Sequence, residues 1–147
     1  MPRFSLETAL KVRERLEKLY QKALAEELQL EQRIHRQQQT LNEAYQENLD
    51  HTNHAKQRGF TIMQLEMSDR FQDRLVQIQE VTDDQLRRQH EVVQLKRQEL
   101  TQASQKKRVL EILKEKQQRE FQEQQDRLER MEADEIAQNL KRFKKNL

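Results

Sequence analysis

One glycine, Gly59, interrupts a chain of 147 residues whose only other strong helix breaker is Pro2. Gly can adopt a left-handed backbone without a Cβ penalty, so Gly59 reads as the residue just past a helix C-terminus. Thr61-Ile62-Met63-Gln64 then reads as a capping box, the Thr61 hydroxyl taking a first-turn amide and Gln64 reaching back. Phe60 and Leu65 occupy the two positions of a hydrophobic staple. A stop, a turn and a start in immediate succession predict two long helices. Helix one is expected over about 5–57, the turn over about 58–61 and helix two over about 62–143. The expected fold is all-α: residues 1–147 as one antiparallel coiled-coil hairpin with a C-terminal helical overhang.

The composition suits a seam better than a globular core. Apolar residues make up 33% and charged residues 37% of the chain, against roughly 45–50% and 25% in an average domain. With 24 glutamines, seven aromatic residues and no tryptophan, a closed catalytic cleft cannot be filled. Disorder is the competing reading of so polar a chain; the periodicity below favours helix. Net charge is only +2, and the 28 basic and 26 acidic residues interleave as on solvated helix faces. The short basic clusters, Lys106-Lys107-Arg108 and Lys141-Arg142 with Lys144-Lys145, lack stacking aromatics, which argues against a nucleic-acid partner. The absence of cysteine fits a reducing compartment. No apolar run approaches a membrane span and no signal peptide is visible, so a soluble cytoplasmic protein is expected.

Apolar residues in the first half follow a heptad. One position carries Leu6, Tyr20, Ile34 and Leu41, and the position three later carries Ala9, Leu16, Ala23, Leu30 and Ala44. Arg13, Glu27, Gln37 and Asn48 interrupt it. The second half carries a stripe through Leu75, Leu86, Val93, Leu100, Ala103, Leu110, Phe121, Leu128 and Met131, interrupted by Gln89, Lys96 and Lys107. Folding the chain about Gly59 with partner numbers that sum to 116, a midpoint at Arg58, keeps both stripes in phase and pairs Leu6 with Leu110, Leu16 with Leu100, Ala23 with Val93, Leu30 with Leu86 and Leu41 with Leu75. The alternative is a break in helix two at Thr82-Asp83-Asp84-Gln85, itself a possible capping box. In the hairpin register helix one runs out opposite Leu110. Phe121, Leu128, Met131, Ile136, Leu140 and Phe143 then continue an apolar stripe with no partner in the chain. Such a face awaits another chain, the bland alternative being a frayed tail.

Catalytic chemistry finds no footing. One glycine cannot build a phosphate-binding loop. His51 and His54 have no acidic or cysteine partner arranged with them, and Glu26-Glu27 and Asp83-Asp84 are exposed runs without a pocket to shift their pKa values. No catalytic residue, metal site or cofactor is expected, and the chain reads as non-enzymatic.

Several segments resemble the FliJ-type flagellar export family: Phe4-Ser5-Leu6, Leu10-Lys11-Val12-Arg13-Glu14, Lys107 through Glu115, Glu120, and Glu132 through Ala137. The resemblance spans the chain. It implies a soluble, monomeric, stalk-like component of the type III export apparatus that serves flagellum biogenesis and hence motility and chemotaxis. Its implied partners are the hexameric export ATPase, entered by the terminal ends, and the export gate membrane protein. Export chaperones are further implied partners, and the implied location is cytoplasmic and peripheral at the inner face of the cell membrane. Carried onto this sequence, the gate contact falls on Leu41, Tyr45, Phe71 and Leu75, with Tyr45 opposite Phe71 in the expected register. The ATPase contact falls on Phe4 and Leu10 with Phe121, Leu128, Met131, Ile136 and Leu140. For Leu41 and Leu75 plain seam packing competes with contact. The alternative function is a structural coiled-coil spacer or self-associating protein without an ATPase partner.

Overall fold

The structure, a computed structural model, describes residues 3–146; Pro2 lies outside them. The described residues form two helices, α1 (Glu7–Arg58, 52 residues) and α2 (Ile62–Lys145, 84 residues), with no strand among them. The all-α expectation holds, with each helix boundary within two residues of its expected place. At the start of α1 the Glu7 amide donates to the Phe4 carbonyl at 3.1 Å, and Glu7 places a carboxylate in the first turn, where the helix dipole favours it. Lys56 and Arg58 occupy the last turn of α1 with the complementary sign.

The chain reverses as its chemistry dictates. Gly59 has φ +98°, a backbone state that side-chain-bearing residues rarely adopt. The capping box forms in both directions: the Gln64 amide donates to Thr61 Oγ1 and the Thr61 amide donates to Gln64 Oε1, each at 3.2 Å.

Helix α2 does not break at Thr82. Thr82 is the most deeply buried large side chain, only 1% exposed, and its neighbours are engaged elsewhere. Asp83 accepts a hydrogen bond from Gln38 of α1 at 2.6 Å, and Asp84 pairs with Arg87 and Arg88 one turn on. With the Thr82 side chain buried, its hydroxyl stays within the packing, and the candidate capping box remains inside a continuous helix.

The chain divides into two compact units. The first comprises residues 19–101. Here α1 and α2 meet in antiparallel order through Thr52–Ser68, Asn48–Gln72, Asn42–Gln79, Gln38–Asp83, Glu31–His90 and Glu27–Gln89, with Leu75 and Val93 as the buried apolar side chains. The second comprises residues 1–18 and 102–147. In it Glu17 meets Lys107 at 2.8 Å and Glu7 meets Lys114 at 3.0 Å, around the buried Leu10 and Ala103.

These contacts correct the expected register. In residues 19–101 all the cross-helix pairs except Glu27–Gln89 have their midpoint at Phe60 or between Phe60 and Thr61, not at Arg58. A fold point two residues later moves every partner by four residues, about one helical turn. Tyr45 is therefore level with Leu75, and Leu41 is no longer level with it. The apolar phase speaks against such a slip at only half of the seam positions, because these alternate at spacings of three and four residues. Side chains that interrupt the stripe decide it. Asn48, which interrupts the stripe, donates to Gln72, and one turn on the Thr52 and Ser68 hydroxyls bond to each other, both pairs centred on Phe60. A polar group in a narrow seam is costly unless paired, so the register that pairs these groups is selected.

Candidate functional site

The candidate sites are side-chain surfaces, one in each unit. In residues 19–101 the four residues expected to meet the gate divide by exposure. Leu75 is buried at 6% and belongs to the packing between helices, Leu41 and Tyr45 are half-buried, and Phe71 is 47% exposed. The corrected register separates Tyr45 from Phe71, so the two do not face one another across the seam.

Phe71 instead belongs to a row along α2. Met63, Met67, Phe71, Ile78 and Val81 are all exposed. Their spacing places them within an arc of about 80° at 100° per residue. The heptad search overlooked this row because it lies beside the seam; the spacing of four, four, seven and three was readable in the sequence. Further along the same face, Gln85, Arg88 and Val92 line an open groove with Leu30, Arg33, Ile34 and Gln37 of α1.

The surface formed by residues 1–18 with 102–147 is of another kind. Phe4 and Phe121 are half-buried, and Leu10 is buried at 4%, which makes it a packing residue with little area left for a partner. Leu128, Met131, Ile136, Leu140 and Phe143 are each more than half exposed, and every residue from 127 to 146 is exposed. Beside Leu10, Glu17 is hydrogen-bonded by Lys107 and Ser104, which hold its carboxyl below the usual carboxylate value; the Glu17 bond in turn raises Lys107.

Neither surface offers groups for chemistry. His51 and His54 are exposed, and no group of three potential metal ligands occurs among the described residues. Among those residues no helix is long and apolar enough to cross a membrane.

Compared with known proteins, residues 2–146 match the family model described as FliJ, flagellar FliJ protein. No curated protein and no solved structure matches the chain.

Proposed function

The chain belongs to the FliJ family of flagellar proteins, and from that premise we propose that it is a non-enzymatic, stalk-like component of the flagellar type III export apparatus. In this reading residues 1–147 act as one antiparallel coiled-coil hairpin with a C-terminal overhang, monomeric when free and working at the inner face of the cell membrane. The overhang, with Phe4, engages the hexameric export ATPase. The face around Tyr45 and Phe71 engages the export gate. Export chaperones are additional partners.

The observation that carries the proposal is the uncovered row Leu128, Met131, Ile136, Leu140 and Phe143 on a helix whose side chains from 127 to 146 are all exposed. Large apolar side chains exposed together over residues 128–143 of one helix are the mark of an interaction site. Leu10 contributes by packing, and Leu41 and Leu75 serve the gate surface only by holding it.

Removal of residues after Phe121 tests the ATPase assignment. It retains the Lys114–Glu7 and Lys107–Glu17 pairs, so the helix pair should keep its circular dichroism. Stimulation of the purified export ATPase should be lost. A truncated chain that stimulates as well as the full one refutes the assignment.

A further inference from the structure

Five exposed apolar side chains on one face of α2, Met63, Met67, Phe71, Ile78 and Val81, have arginines set among them. At 100° per residue, Arg70 and Arg74 fall within about 20° of the line through Met63 and Val81. Arg88 continues the same line at the groove, and Arg33 joins it there from α1. Among the described residues Arg33, Arg70 and Arg74 form no ion pair, whereas Arg88 is held by Asp84 at 3.0 Å. The acidic residues of this stretch, Glu66, Asp69, Asp73 and Glu80, lie further round the helix, on the side away from the apolar row. Round the helix the acids therefore lie outermost, the arginines lie level with Met63 and Val81 at the outer edge of the apolar row, and Met67, Phe71 and Ile78 lie between that edge and the seam.

From this banding we infer that the face is a docking groove for an amphipathic helix of a partner protein whose apolar positions are bordered by acidic residues. Methionine suits such a surface, because its unbranched, polarisable side chain adapts to an incoming helix. An arginine row along one edge sets the sign of the partner's border and its orientation. From Met63 to Val92 the face covers 30 residues of α2, about 43 Å from end to end, so the occupant is a helix of up to eight turns. The acidic band disfavours a nucleic-acid strand, which would lay phosphates along both edges. The inference rests on the reading of Phe71 as a contact residue and adds the neighbouring residues and the charge of what docks.

The test uses the full chain and two labelled synthetic 28-residue amphipathic peptides with identical leucine positions, one bordered by glutamate and the other by lysine. Fluorescence anisotropy should show the glutamate peptide binding roughly tenfold more tightly than the lysine peptide at low salt. The double variant Arg70→Glu, Arg74→Glu should reverse the preference. Met67→Gln with Ile78→Gln should abolish binding of both peptides at an unchanged melting temperature, since both residues are exposed. Leu19→Gln with Leu95→Gln, exposed apolar residues outside both surfaces, should leave the affinity for both peptides unchanged. Equal affinity for the two peptides, no binding of either, or a sedimenting dimer that Met67→Gln dissociates overturns the inference. The soluble part of the export gate is titrated in parallel against Phe71→Ala. Normal gate binding by Phe71→Ala, with peptide discrimination by the unaltered chain intact, defeats only the gate assignment. Lost discrimination in the peptide arm, with gate binding sensitive to Phe71, defeats only this inference.

Discussion

At the scale of single residues, two positions carry more than their size suggests. Gly59 is one, with φ +98° and open space where a Cβ would go. An alanine there meets no neighbour, so its whole cost is the left-handed backbone, about 1–2 kcal/mol. Gly59→Ala should lower the urea midpoint accordingly, and Gly59→Asn should recover part of the loss because Asn tolerates that conformation. An unchanged midpoint for Gly59→Ala would mean that the turn relaxes into right-handed helix. Glu17 is the other. Its carboxyl is held below the ordinary value of 4.5 by hydrogen bonds from Lys107 and Ser104. A depressed carboxylate stabilises the fold above its unfolded pKa and loses that contribution as pH falls through the folded one. The raised Lys107 behaves conversely: its share is complete below 10.5 and is lost as pH rises through its folded value. Glu17→Gln should therefore lower the melting temperature by a constant amount from pH 6 to pH 9. The gap from the unaltered chain should close below about pH 4. A gap independent of pH down to pH 2 would show that the ion pair is not its source.

At the scale of helices, Thr52 and Ser68 are the sharpest register marker, their hydroxyl oxygens 2.5 Å apart. Cysteines at these two positions should oxidise within one chain, whereas cysteines at Leu41 and Leu75, which only the Arg58 fold point brings together, should not. Non-reducing electrophoresis distinguishes the two, and crosslinking at 41 and 75 alone would restore the earlier register. This contrast also marks what the sequence could convey. The two helices, their turn and its capping box were legible because Gly59 and Thr61-Ile62-Met63-Gln64 act locally, through backbone conformation and first-turn amides. The partners across the seam were not, because an apolar repeat fixes which face is buried and leaves a one-turn slip open. Glu27, Asn48, Gln89 and Lys107 resemble flaws in the repeat and prove to be the groups that pair between the helices. Thr82 shows the same limit from the other side: its capping chemistry is sound, and burial against α1 overrides it. Among the candidate contacts, the exposure of Phe71 was legible from its place beside the heptad. The burial of Leu10 was not, since a residue near the start of the first helix gives no local sign of what covers it.

At the scale of the molecule, stability is unevenly spread, and the spread can be measured. Leu75 and Val93 in residues 19–101, and Leu10 and Ala103 in the other unit, are the buried apolar side chains among the described residues. Backbone near them can exchange its amide hydrogens only when the helices part. Residues 127–146 are all exposed, and a lone helix of such length gains little beyond its own propensity. In the free chain, amides from 127 to 145 should exchange near the rate of a short peptide helix, with protection of roughly tenfold or less. Those around Val93 should be slower by several orders of magnitude. Adding the export ATPase should slow exchange across 127–145 and leave the surroundings of Val93 unchanged, because an ordered partner would supply the burial that this segment lacks. Two results would count against this account. Strong protection of 127–145 in the free protein would mean that a second copy already covers Leu128, Ile136 and Leu140. Unchanged exchange with the ATPase bound would remove the last helical stretch from the contact and leave its exposed apolar row without that partner.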